Sequence, residues 1–391
     1  MDSISSLKKS YRVKDQEKAF NPLILYGKII NLRNPRSHPE KDKGRDGNLY
    51  RKMSFQRILG QDQPKRIIQN ALQGNSVAHA YLFYGQESIG KKLTAIELAK
   101  ALNCEVSGPE GGCDDCPSCR KIDQRIHPDF FLLEPEKSSP SGREAVIKVE
   151  EVRELQKKLS YLPYEGKTKV AIIDGTESMN PQSANTFLKT LEEPPSATVL
   201  ILITQNPYRL LPTIVSRCQG VKFHPLTSEN VKQILKQSPE LETGDLGEEE
   251  LALRALRSKG GVRKALEEDM EATQNYREEV LTLIEKVSFD QMHVVFKWTR
   301  QWAKQPAQIQ SLLDEMLNLL RDLAVIKSRG SNTGVLNQDI LDRLQPLAAQ
   351  KSVQALVAMF DSVLRTKSAL TGNANLQLSL DHMLIEFCEA A

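Results

Sequence analysis

Four cysteines, Cys104, Cys113, Cys116 and Cys119, stand close together, separated by eight, two and two residues. Their thiolates form the soft donor set that tetrahedral zinc takes up, at about 2.3 Å per Zn–S bond. Gly111-Gly112 ahead of Cys113 and Pro117 after Cys116 are turn formers, which let neighbouring thiolates converge on one ion. Four protein ligands leave no position open for water, so the chemistry expected here is structural zinc, not catalytic zinc. Unliganded surface thiols and an iron–sulfur cluster would use the same residues, though nothing else in the sequence points to electron transfer. His127, just before Pro128, reads as a turn residue rather than a ligand, and Cys218 and Cys388 stand alone. The grouping is therefore one of metal ligation and not a disulfide framework.

A second constellation is Gly85-Gln86-Glu87-Ser88-Ile89-Gly90-Lys91-Lys92, which follows an apolar run and opens a helical one. In that setting backbone N–H groups cradle phosphates and a lysine, here Lys91, reaches them. The last position should be Ser or Thr, whose hydroxyl ligates the magnesium that bridges the phosphates. This chain has Lys92 instead, and an ammonium cannot ligate a metal. The run Val170-Ala171-Ile172-Ile173-Asp174 delivers a carboxylate toward the same metal, but Gly175 stands where a water-polarising Glu is needed. Glu177 lies three residues beyond Asp174 and so points elsewhere. Both losses strike positioning and charge stabilisation in phosphoryl transfer, so intrinsic ATP hydrolysis is expected to be negligible. Gly85, Gly90 and Lys91 leave two readings open: a vestigial nucleotide site, or a loop that only shapes a strand-to-helix turn.

These residues need elements to hold them. Short apolar runs alternate with helical periods from Met53 onward, the pattern of a parallel α/β domain. The spacing predicts strands at His79–Tyr84, Phe130–Leu133, Val146–Val149, Val170–Asp174, Val199–Thr204 and Val221–Phe223. Helices are predicted over 91–102, Val152–Ser160, Pro181–Glu193 and Arg209–Arg217. Past Pro225 the strand signal ends. Ser228 to about Met270 reads as short amphipathic helices, and Asn275–Ala391 as long ones, with Ile309, Leu312, Leu313, Met316, Leu317, Leu320 and Leu323 on one face.

The 391 residues exceed what one core serves, so two or three domains are expected. Lys and Arg number 53 against 50 Asp and Glu, a formal charge of +3 that does not announce a nucleic-acid binder. Residues 1–52 hold thirteen Lys/Arg against six Asp/Glu, a local +7 that leaves −4 for the rest. That segment lacks a sustained apolar period and is expected to be disordered: a solvated extension, upstream sequence from a wrong start, or a tail that touches DNA. No run approaches the roughly 18 apolar residues of a membrane span, and the N-terminus lacks a secretion signal, so a cytoplasmic protein is expected.

The segment from Met53 to Pro225 resembles the AAA+ module of bacterial clamp loaders, and within them the delta-prime class of DNA polymerase III subunits. The likeness rests on Phe55-Gln56-Arg57-Ile58-Leu59-Gly60-Gln61, His79-Ala80-Tyr81-Leu82-Phe83, the inserted cysteines, Asn185-Thr186-Phe187-Leu188-Lys189-Thr190-Leu191-Glu192-Glu193-Pro194-Pro195, and Ser216-Arg217-Cys218. It continues more weakly to Asn373-Ala374-Asn375-Leu376-Gln377-Leu378. Lys92 and Gly175 favour the non-hydrolysing class over its motor paralogues.

The resemblance implies an α/β P-loop (AAA+) domain over 53–226 with a parallel sheet and a zinc module at 104–127, a helical lid domain at 227–272 and an all-α collar domain at 273–391. It implies that Arg217 is an arginine finger acting in trans on a neighbouring subunit. Gln205-Asn206 and Arg263 would correspond to two nucleotide sensors, with Gly85, Gly90, Lys91 and Asp174 completing a degenerate site. The implied partners are the other loader subunits (delta and gamma/tau), the sliding clamp and primed DNA, within a polymerase holoenzyme whose polymerase and ATPase activities lie in other chains. Two other readings are an active motor subunit of the same ring and a freestanding zinc-containing DNA-binding protein. The acidic body and the few cations beside the cysteines, Arg120, Lys121 and Arg125, weigh against the last.

Overall fold

The computed structural model describes residues 54–106, 108, 110–135, 146–238, 247–330, 334–372 and 374–390, and the expectation for residues 1–52 falls outside them. The chain divides into two compact units, one ending at Leu266 and one running from Glu267 to Ala391.

The first unit is built on five strands, β1 (Ala80–Tyr84), β2 (Phe130–Leu133), β3 (Lys169–Asp174), β4 (Thr198–Thr204) and β5 (Gln219–Lys222). All pair in parallel, in the order β2-β3-β4-β1-β5. The pleat divides the apolar residues between two cores. Tyr81 and Phe83 pack on one face with Phe55, Ile68 and Ile96, whereas Ala80 and Leu82 pack on the other with Val152, Phe187 and Leu191. Every residue of β4 is buried, as expected for a central strand covered on both faces. The covering helices are α1 (Asp62–Gln73), α2 (Lys91–Asn103), α3 (Pro117–Asp123), α4 (Val149–Leu159), α5 (Pro181–Glu192) and the single turn α6 (Pro212–Val215).

Two sequence expectations are corrected. Val146–Val149 forms no strand; only Ile147 makes an isolated bridge, to Met179. Glu151 reaches back to accept the Lys148 N–H at 2.7 Å, and this cap starts α4 at Val149. The helix expected over Arg209–Arg217 is α6 alone, because Pro207 starts a separate 3-10 turn and Pro212 restarts the chain. The α1 helix went unread in the sequence.

Beyond β5, α7 (Ser228–Lys236), α8 (Glu248–Arg257) and α9 (Val262–Glu267) close over a small core of Leu226, Val231, Leu235, Leu251 and Ala265. Gly260 makes this closure possible. It sits at φ +86°, and a Cβ there would lie 2.5 Å from the Leu226 nitrogen. The second unit is all helical: α10 (Met270–Lys286), α11 (Met292–Trp302), α12 (Ile309–Arg329), α13 (Leu341–Gln350), α14 (Val353–Thr371) and α15 (Leu376–Ala390). The predicted stripe from Ile309 to Leu323 lies in its core with Trp298, Met359 and Phe387. Among the described residues no helix is long and apolar enough to cross a membrane.

One buried carboxylate sets the turn into β3. Asp129, 1% exposed, accepts the N–H groups of Tyr164 (2.8 Å), Glu165 (2.8 Å) and Gly166 (2.7 Å). Burial pushes its carboxyl up, but these bonds and nearby His127 outweigh burial and hold it below the usual value. A depressed carboxyl stabilises the fold above its unfolded pKa and loses that contribution as pH falls through the folded value. Asp129→Asn is therefore expected to destabilise the chain by about 2 kcal/mol at neutral pH. In urea titrations the gap between the two proteins should narrow below about pH 4.

Candidate functional site

The four cysteines converge. Cys104 is the residue after the end of α2, and Cys116 caps α3, so two helix ends and the loop between them deliver the sulfurs. All four Sγ atoms lie within 4.8 Å of one another, with Cys104 and Cys116 at 4.0 Å. Zinc–sulfur bonds near 2.3 Å place tetrahedral sulfurs about 3.8 Å apart, so the set fits a zinc ion. Backbone N–H groups point at the sulfurs as they would at thiolates. Cys113 donates to Cys104 Sγ and Cys116 to Cys113 Sγ, each at 3.3 Å, and Cys119 donates to Cys116 Sγ at 3.4 Å. Gly112 is required by closeness, since a Cβ would meet Lys100 Cβ at 2.8 Å and Cys119 Sγ at 3.0 Å. The cluster is consistent with a structural zinc site.

His127 lies outside the sulfur cluster. Its Nδ1 accepts the Asp129 N–H at 3.1 Å, which leaves the ring proton on Nε2, 3.2 Å from Ser118 Oγ. A residue that sequence reasoning missed ties the module to α2. The Lys100 ammonium is wholly buried and paired with Glu97 (3.1 Å), Asp123 (3.0 Å) and Asp114, and Asp114 also meets Arg57 at 2.9 Å. Burial alone would lower the Lys100 pKa; the three carboxylates reverse that and raise it. Cys218 is a different case, its thiol pushed up to about 12 by burial.

The phosphate-type loop leaves β1 and enters α2. Its neighbour β4 ends at Thr204 and β3, on the far side of β4, ends at Asp174, so loop, carboxylate and Gln205 meet at the carboxyl edge of the sheet. Gly85 (φ +141°) packs so tightly that a Cβ would lie 2.5 Å from Phe223 O, whereas a Cβ on Gly90 (φ +100°) would face open space. Gln61, from the opening motif, staples the loop by donating to Ile89 O (3.0 Å) and His224 O (2.6 Å). Lys91 turns inward. Its ammonium donates to Gly85 O (2.6 Å) and Gln86 O (2.5 Å), and burial lowers its pKa to about 8 despite Asp174, Glu177 and Glu87 nearby.

Lys92 reaches Asp174 Oδ2 at 2.5 Å and also pairs with Glu134, which Arg125 meets at 3.2 Å. Glu134 carried no sequence signal. Gly175 adopts φ +71°, a left-handed conformation, and starts a 3-10 turn. Glu177 accepts the Gln205 N–H at 3.1 Å and so serves the end of β4. Gln205 Nε2 lies 3.4 Å from Glu87, and Arg263 on α9 pairs with the same carboxylate at 2.9 Å. Asn206 instead caps the turn at Pro207, accepting the Tyr208 N–H at 3.0 Å. Arg217 stands apart from this group just beyond α6, about one-third exposed, paired with Glu192 at 2.8 Å and donating to Thr213 O at 3.0 Å.

A parallel sheet with a phosphate-type loop at its carboxyl edge, a four-cysteine insertion after the loop's helix and helical regions following in the chain define an AAA+-like subunit. Residues 60–227 match the family described as DNA polymerase III, delta subunit, and residues 271–389 that described as DNA polymerase III, delta subunit, C terminal. The chain is similar to DNA polymerase III subunit delta' of Pseudomonas aeruginosa, 31% identical over 323 residues that span 79% of this chain and 92% of that one. Subunit delta' of Bacillus subtilis is 29% identical over 333 residues, 83% of this chain and 95% of the relative. Subunit tau of Bacillus subtilis is 26% identical over 366 residues, 88% of this chain but 63% of tau. The chain belongs to the delta-prime family of DNA polymerase III clamp-loader subunits.

The purified chain is expected to carry about one zinc ion by atomic absorption, and Cys119→Ser to lose most of it. Chelation should lower the thermal midpoint by roughly 10 °C or more. A metal-free chain with an unchanged midpoint would refute the assignment.

Proposed function

We propose that the chain is the non-hydrolysing stator of a clamp loader and lends Arg217 in trans to the ATP site of a neighbouring subunit. The observation that carries this reading is the Lys92–Asp174 contact at 2.5 Å. A lysine bound to the carboxylate that should hold magnesium, with Gly175 in place of the water-orienting Glu, removes the two groups on which phosphoryl transfer depends. A subunit without its own turnover contributes to an ATP-driven ring through what it offers its neighbours. Arg217 suits that part. It is partly exposed at the end of a short helix, and its guanidinium pairs with Glu192. A planar guanidinium in that position can exchange a carboxylate for the phosphate of an adjoining site.

On this reading the chain works in the cytoplasm with delta and gamma/tau subunits to open the sliding clamp and place it on primed DNA. The all-helical unit from Glu267 onward supplies the collar contacts, and the four-cysteine module a structural zinc site. Gly85, Gly90, Lys91, Asp174 and Arg263 are remnants of a nucleotide site. The likeness to a tau subunit favours a second reading, an active motor of the same ring.

Arg217→Ala is expected to leave ring assembly intact by gel filtration while lowering turnover at the adjoining ATP site by roughly 100-fold or more. The wild-type chain alone should show no turnover above background. Turnover by the isolated chain would establish the motor reading, and an unchanged rate in an assembled Arg217→Ala ring would sink the finger.

A further inference from the structure

Magnesium and a nucleotide are the groups this fold family implies between β3, the loop and α9, and the residues present do not fit them. The metal seat needs a hydroxyl and a carboxylate facing a divalent cation. It holds the Lys92 ammonium, bound to Asp174 and Glu134, with Arg125 on the far side of Glu134. Two cations facing two carboxylates form a neutral set. A divalent ion entering it would lose both carboxylates to their existing partners and meet a like charge.

The anion side is filled in the same way. Glu87 projects from the loop that should cradle phosphates, and its two oxygens take Arg263 (2.9 Å) and Gln205 (3.4 Å). One comes from the small helical region and the other from the end of β4, so the carboxylate gathers three separate segments. The Val262 N–H adds a backbone bond to Ser88 O at 3.0 Å, and Gly261 keeps the approach close, since a Cβ there would stand 3.2 Å from Gln86 Nε2. We infer that Glu87 and Lys92 substitute for the terminal phosphate and its metal, latching the small helical region onto the phosphate loop without nucleotide. The inference concerns this chain's own pocket and stands or falls independently of Arg217.

Amide hydrogen exchange on the full-length chain tests it, with β4 as the internal control for folding. In the wild type, residues 85–92 and 258–264 should be protected without nucleotide and change less than about twofold with millimolar Mg·ATP. Glu87→Gln should speed exchange over 258–264 by about three- to fivefold, as expected for loss of a half-exposed ion pair, while β4 stays protected. Arg263→Gln replaces it if that variant does not fold. Lys92→Thr combined with Glu87→Gln, which clears both sides, should gain magnesium-dependent binding of a fluorescent ATP analogue. The proposal is overturned if Mg·ATP slows wild-type exchange in both segments, or if the latch variants exchange as the wild type does. A folded Glu87→Gln/Lys92→Thr protein that binds no Mg·ATP removes the metal half of it.

Discussion

The buried ammonium of Lys100 is the contact on which the functional half of the molecule turns. It sits on α2, the helix that begins at the phosphate loop with Lys91 and Lys92 and hands the chain to Cys104 at its other end. At 1.5 Å per residue those ends lie about 18 Å apart on one rigid rod. Whatever fixes the rod fixes both the lysines at its start and the first sulfur at its finish. Lys100 does this from the last turn, drawing Glu97 of its own helix, Asp114 of the cysteine loop and Asp123 of α3 around one charge.

An ammonium removed from water is costly unless its partners are several and well placed. Replacing such a cluster with apolar residues often leaves stability unchanged or better, so its value here lies in register. A hydrophobic contact between α2 and the cysteine loop could slide; three carboxylates converging on one nitrogen cannot do so without leaving a charge unpaired. The same logic applies at the carboxyl edge of the sheet, where Lys92 and Glu87 bind chain segments together by charge.

Much of this was legible in the sequence. The cysteine spacing, the glycines of the loop, the replacement by Lys92 and the apolar runs of β1 to β4 each carry a local signature, because metal geometry, phosphate contacts and strand pleats demand particular residues at fixed intervals. The partners were not legible. Glu134 and Asp129 flank β2 with no motif around them, and only the parallel pairing with β3 brings Glu134 to Lys92 and Asp129 to residues 164–166. Lys100 reads as an ordinary polar position of a helix, since nothing local says that a cysteine loop will fold over it. Glu87 did leave a trace: an acid in a loop whose backbone attracts anions is a mismatch of charge carried by the residue order itself. The strand expected at Val146–Val149 failed for the opposite reason, β-branched residues being outvoted by a helix cap at Lys148 and Glu151.

Gly175 bears on the history open to this chain. Its left-handed φ of +71°, with Pro135 Cγ 3.3 Å from where a Cβ would stand, makes the position awkward for any side chain. Restoring a glutamate there would strain the turn unless the segment before it moved as well, and removing Lys92 first would leave Asp174 and Glu134 facing each other without a cation between them. On the stator reading proposed above, each single change toward a catalytic site would thus lead through a less stable protein. The arrangement would work as a ratchet, held by backbone geometry on one side and unbalanced charge on the other.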